Sequence, residues 1–92
     1  MKFDDLKFKA DPDGLPLIRA RATINNFELS VVQEASHPGR YEFAVFNPLG
    51  EMIQIEGIHS SDTVVRYATP EGVEEVMQRL SDGITPRNTM YI

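Results

Sequence analysis

The sequence predicts an α+β domain: an antiparallel, meander-like sheet of about five to six strands, packed by one C-terminal helix over residues 70–82. Three observations predict it. Apolar and polar residues alternate through most of residues 3–68, the period of a half-buried strand. Clusters of Pro, Gly and Asn interrupt that alternation at short intervals. After Thr69 the apolar spacing changes to that of a helix.

The first strand reads from Phe3 to Ala10, with Leu6, Phe8 and Ala10 on one side and Lys7 and Lys9 on the other. Asp11-Pro12-Asp13-Gly14 ends it, because Pro presets a turn φ and Gly accepts φ > 0. Ile18, Ala20, Ala22 and Ile24 then alternate with Arg19, Arg21 and Thr23, the cleanest strand pattern in the chain. Asn25-Asn26 suits a two-residue hairpin turn, since Asn tolerates the left-handed region. A single long strand through both asparagines is the alternative. Phe27, Leu29 and Val31 face one way in the next run, and His37-Pro38-Gly39 marks the loop after it. Tyr41, Phe43 and Val45 oppose Glu42, Ala44 and Phe46. Asn47-Pro48-Leu49-Gly50 has turn chemistry at each position. A fifth strand runs from Met52 to Ile58, with Ile53 and Ile55 on one side, and the polar break His59-Ser60-Ser61-Asp62 follows. Thr63 to Ala68, β-branched and aromatic, is the sixth.

Thr69 is a good N-cap and Pro70 suits the first helical position. Val73, Val76, Met77 and Leu80 form one stripe, which must bury itself against the apolar face of the sheet. Glu75 and Arg79 are spaced for an i,i+4 ion pair. Gly83 supplies a left-handed C-terminal cap and Pro86 prevents continuation. The chain reads as a single domain, 1–92, with a loose tail over 84–92 or a tail whose Met90-Tyr91-Ile92 pairs with a sheet edge or a second chain.

Composition narrows the function. With 92 residues the domain has little packing to spare for an enclosed cavity, so function should lie on a surface, an edge or a loop. The absence of cysteine excludes disulfides, thiolate nucleophiles and Cys-based zinc sites. No apolar run is long enough to span a bilayer, and the acidic N-terminus does not resemble a signal peptide, so a cytoplasmic location is expected. The net charge is −5. Residues 1–24 hold five bases (Lys2, Lys7, Lys9, Arg19, Arg21) against four acids, whereas residues 25–85 hold three bases against ten acids. Such a chain repels polyanions over most of its surface.

No phosphate-cradling glycine loop, zinc-protease helix motif or nucleophile elbow is present. His59, Ser60, Ser61 and Asp62 contain the residue types of a hydrolytic triad, but adjacent side chains in one loop rarely place an imidazole between nucleophile and acid. His37 and His59 would need tertiary convergence with carboxylates to hold a metal. The sequence therefore predicts no catalytic residue, no metal site and no cofactor. Lys7, Lys9, Arg19 and Arg21 share one face if the first hairpin forms. Phe8 points to the other face and four aspartates dilute the field, so cross-strand neutralisation is the expected role and nucleic acid is not the expected partner. On the helix, Glu71, Glu74 and Glu75 form the candidate partner-binding acidic surface.

The pieces Phe27-Glu28-Leu29-Ser30-Val31-Val32, Gly39-Arg40-Tyr41-Glu42-Phe43-Ala44-Val45-Phe46 and Asp62 to Val76, with its Thr69-Pro70-Glu71 helix start, carry a resemblance. Over residues 26–80 the chain resembles small phage and prophage proteins of unknown function. That resemblance implies a phage or mobile-element origin and transfers no catalytic residue.

The expected function is that of a non-catalytic accessory protein that binds another protein, or a second copy of itself by edge-strand or tail pairing. Two rivals make geometric demands. An acidic mimic of nucleic acid needs Glu28, Glu34, Glu42, Glu51, Glu56, Glu71, Glu74 and Glu75 in one continuous stripe. A small hydrolase or metal enzyme needs His59 or His37 in a pocket with a carboxylate.

Overall fold

A computed structural model describes residues 1–83 together with the backbone of residues 87–88. The strands are β1 (Lys9–Ala10), β2 (Leu17–Ile24), β3 (Phe27–Glu34), β4 (Tyr41–Phe46), β5 (Met52–Gln54), β6 (Val64–Ala68) and β7 (Arg87–Asn88), with one helix, α1 (Pro70–Ser81). The sheet is antiparallel throughout, in the order β1-β2-β3-β4-β5-β7. The meander thus runs as predicted through β5. β6 then returns to β4, pairing with Tyr41–Ala44, while β5 takes Val45 and Phe46 on the same side. The predicted tail pairing of Met90-Tyr91-Ile92 lies outside the described residues.

Alternation decides which face is covered. Ala20, Ala22, Ile24, Leu29, Val31, Phe43, Val45 and Ile53 point to one side, where they pack with Val73, Val76, Met77 and Leu80 of α1 in one buried cluster. The helix starts where predicted: the Thr69 hydroxyl accepts from the Gly72 N–H at 3.1 Å, with Pro70 in the first turn. Asn25 and Asn26 both have positive φ, 54° and 70°, so residues 17–34 form a two-residue hairpin. The hairpin also serves the helix. Asn25 Nδ2 donates to the carbonyls of Leu80 (2.9 Å) and Ser81 (3.2 Å) at the end of α1, the first of which also accepts the Gly83 N–H at 3.2 Å.

Two predicted strands are shorter than their patterns, for local reasons. Phe3–Asp5 is a 3₁₀ turn, held by Lys2 N–H on Asp5 Oδ2 (2.7 Å) and Phe3 N–H on Glu74 Oε2 (2.8 Å). Leu6 is buried in the core, and only Lys9 and Ala10 join the ladder. Ala10, expected inside, is exposed at the sheet edge. The fifth strand stops at Gln54 because the next residues turn back: His59 N–H reaches the Ile55 carbonyl at 2.9 Å, and Gly57 has φ +87°. The Glu75–Arg79 pair does not form either; Arg79 Nη2 instead donates to the Glu56 carbonyl of that turn.

β6 departs from simple alternation. Phe43 pairs with Val65 but Tyr41 pairs with Ala68, so two residues of β6 oppose one of β4. This bulge holds Tyr67 at φ +62°, a conformation rarely adopted by an aromatic residue. Regular alternation would turn Tyr67 inward with Val65. The bulge turns Ala68 inward and leaves Tyr67 exposed. Among the described residues no helix is long and apolar enough to cross a membrane.

Candidate functional site

The helix covers one face of the sheet, and the opposite face carries the cations of the first hairpin beside partly exposed apolar side chains. Its rows follow from the strand register. Lys9, Arg19, Val32 and Glu42 form one row across β1 to β4. Arg21, Ser30, Ala44 and Val64 form the next, and Thr23, Glu28, Phe46 and Met52 the third. Side chains at directly opposed positions stand about 5 Å apart. Every row therefore begins polar or cationic at β1–β2 and meets an apolar side chain or a carboxylate at β4.

Charge on this face is unevenly neutralised. Glu28 pairs with Arg21 at 2.9 Å, and Glu42 with Arg66 at 3.5 Å. Arg66 also bonds Asp62 at 3.0 Å; the Val64 amide and that guanidinium hold the Asp62 carboxyl below its ordinary pKa. Lys7, Lys9 and Arg19 have no ion-pair partner among the described residues. Cross-strand neutralisation, expected for all four cations of the first hairpin, is realised only at Arg21. Lys9 and Arg19 oppose each other directly, with like charge.

These cations line an open depression of about 610 Å³, bounded by Lys7, Lys9, Ala10, Asp11, Pro12, Arg19 and Arg21. Its one acid is engaged elsewhere: Asp11 Oδ2 accepts the N–H groups of Asp13 (2.9 Å) and Leu15 (3.2 Å), closing its own turn. The apolar side chains Val32, Phe46 and Val64 are half-buried, Met52 is 38% exposed, and none of them belongs to the core under the helix.

The other candidates are placed differently. Glu71 and Glu75 are exposed on α1, on the covered side of the sheet. Glu74 is half-buried, with Oε2 occupied by the Phe3 N–H; it ties the N-terminal turn to the helix. Glu28 and Glu42 lie on the opposite face in ion pairs, so the acids do not form the single stripe that nucleic-acid mimicry demands.

His59 is 5% exposed. Its Nδ1 accepts the Ile55 N–H at 2.9 Å, and its ring meets Phe43 edge-on at 5.9 Å. Burial pushes its pKa below the ordinary value, opposed by the backbone at Ile55 and Thr63 and by the Asp62 charge. The Asp62 carboxylate is committed to Val64 and Arg66, so the His59–Asp62 loop does not assemble a triad. At His37, Ser36 Oγ (3.1 Å) and Glu34 Oε1 (3.4 Å) both address Nδ1, so the imidazole does not stand between hydroxyl and acid. No group of three or more metal-ligating side chains converges among the described residues. Sequence reasoning found the cations of the first hairpin but missed the apolar side chains beside them on the same face, most of them partly exposed. The signal was available in Val32, Ala44, Phe46 and Val64, apolar residues at positions that alternation assigns to the outer face.

Comparison with protein-family models, with curated proteins and with solved structures gives no match to this chain.

Proposed function

We propose that this is a non-catalytic accessory protein that acts in the cytoplasm by binding another protein through the helix-free face of its sheet. The phage or mobile-element origin implied by the resemblance over residues 26–80 fits such a role. One observation carries the reading: Val32, Phe46, Met52 and Val64 stay partly exposed on a sheet face that no element of the described chain covers. Partly exposed apolar side chains ringed by charge are the composition of a protein-binding surface. The arrangements of His37 and His59 support this reading over hydrolysis or metal chemistry, and the division of acids between two faces supports it over nucleic-acid mimicry.

The test is site-specific photo-crosslinking in the producing cell. A crosslinking residue at Met52 should yield a discrete heavier adduct, and the same residue at Gln78 on the exposed side of α1 should not. An adduct of twice the chain mass at Met52 would identify the partner as a second copy. Adducts from Gln78 alone, or from neither position, would refute the reading.

A further inference from the structure

We infer that the depression between β1 and β2 takes an acidic segment of a partner protein, held in an extended conformation across Lys7, Lys9, Arg19 and Arg21. The inference rests on the binding role proposed above and supplies the chemistry of the partner.

Three cations with no acidic partner among the described residues stand together on a protein whose net charge is −5, so their accumulation is not a consequence of a generally basic surface. Lys9 and Arg19 are direct cross-strand neighbours, a pairing that costs stability in an isolated sheet. A carboxylate placed between them removes that repulsion, so binding and fold relief act together. Asp11 cannot do this, because its carboxylate closes the Asp11–Leu15 turn. Glu28 cannot either, being bound to Arg21.

The spacing selects an extended ligand. Arg19 and Arg21 are alternate residues of β2, so their side chains repeat at about 7 Å. A second extended chain presents alternate side chains with the same repeat, and Asp or Glu at every second position keeps register with the cations. Apolar residues of the same segment can lean on Val32, which follows Arg19 in its row.

Nucleic acid fits less well, although it is also anionic. Among the described residues no aromatic side chain lines the depression, so they offer bases no stacking platform. Residues 25–85 carry ten acids against three bases; those beyond the depression repel a long polyanion, while Glu28 and Glu42, which lie in its rows, are paired with Arg21 and Arg66.

The experiment is a fluorescence-anisotropy titration of the full chain with three labelled probes: a peptide alternating Glu with Val, a peptide alternating Lys with Val, and a single-stranded oligonucleotide of similar length. The Glu–Val peptide should bind, the Lys–Val peptide should not, and added salt should weaken binding. Reversing the pair, Lys9→Glu with Arg19→Glu, should weaken it by about tenfold or more. The neutral pair Lys9→Gln with Arg19→Gln should give an intermediate loss. Lys2→Glu beside α1, which changes the net charge by as much as the Gln pair does, should leave it intact. Thermal melts should be unchanged or raised in the Gln variant, since a like-charge contact is removed. Tighter binding of the oligonucleotide, or equal affinity of all variants for the acidic peptide, would overturn the inference. If that happens while Met52 still forms its adduct, the acidic-segment assignment fails and the protein-binding role stands; if the adduct is missing too, both fail.

Discussion

Asn25→Asp isolates the contact through which the first hairpin closes the helix. Asp is nearly the same shape as Asn and also tolerates the left-handed region, so the two-residue turn is retained. What changes is polarity. The amide that donates to Leu80 and Ser81 is replaced by a carboxylate facing the same carbonyls, at the negative end of the helix dipole. A hydrogen bond contributes about 0.5–1.5 kcal/mol net, the exposed one to Ser81 less than the part-buried one to Leu80. Repulsion from the helix terminus adds about 0.3–1 kcal/mol. The expected loss at neutral pH is therefore about 2 kcal/mol, or roughly 8–16 °C in Tm for a domain of this size. Urea titration at constant m and a circular-dichroism melt both read it. The helix terminus raises the folded-state pKa of the new carboxyl, so the penalty is present above that pKa and shrinks as the pH falls through it. Asn26→Asp is the control: it shares the turn and the positive φ, and its side chain donates to neither carbonyl. An equal loss at both positions, or a loss at Asn25 under about 0.5 kcal/mol, would show that the amide does not cap the helix.

Leu80→Ala empties a fully buried position between α1 and the sheet, and denaturant unfolding should register a loss of about 2–5 kcal/mol. At Tyr67, held at φ +62°, Gly should be more stable than Ala by about 1 kcal/mol; the reverse order would show that the backbone there is unstrained. His59 is buried with a pKa lowered from the ordinary 6.5, so the unfolded chain takes up its proton first. Its contribution is intact above that value and declines as the pH falls below it. His59→Asn keeps an acceptor near the Ile55 N–H and cannot titrate, so stability measured between pH 7.5 and pH 5 should slope less in the variant than in the parent. Glu74→Ala removes the acceptor of the Phe3 N–H and should raise hydrogen exchange at Phe3 while leaving amides in the centre of β3 protected.

The covered face of the fold was legible because it depends on periodicity alone. Ala20, Ala22, Leu29, Val31, Phe43 and Val45 occupy the side that alternation assigned to them, and the stripe Val73, Val76, Met77 and Leu80 covers them. The cap at Thr69 was legible for a similar reason, since donor and acceptor lie three residues apart. Less was legible where one residue had two available partners. Arg79 is spaced for Glu75 yet reaches the Glu56 carbonyl, a group brought close only by the Ile55–His59 turn. The sequence counts Glu74 in the acidic surface of the helix, but the N-terminal turn arrives beside it. The cation cluster was visible as a possibility in the alternation of Lys7, Lys9, Arg19 and Arg21. Whether acids neutralised it depended on which strand came next to β2, and at what register.

The sequence by itself determined the class of fold, the buried face of β2 to β5, the turn at Asn25-Asn26 as one of two readings, and the beginning and end of the helix. All of these follow from spacings of a few residues, over which backbone geometry is fixed by local sterics. Tertiary structure alone decided that β6 returns to β4 with a bulge that exposes Tyr67, that Asn25 caps the helix, that His59 is spent on the Ile55 amide, and that Lys7, Lys9 and Arg19 lack acidic partners among the described residues. Each of those outcomes is a choice among partners distant in sequence, and packing of the whole sheet against one helix makes that choice.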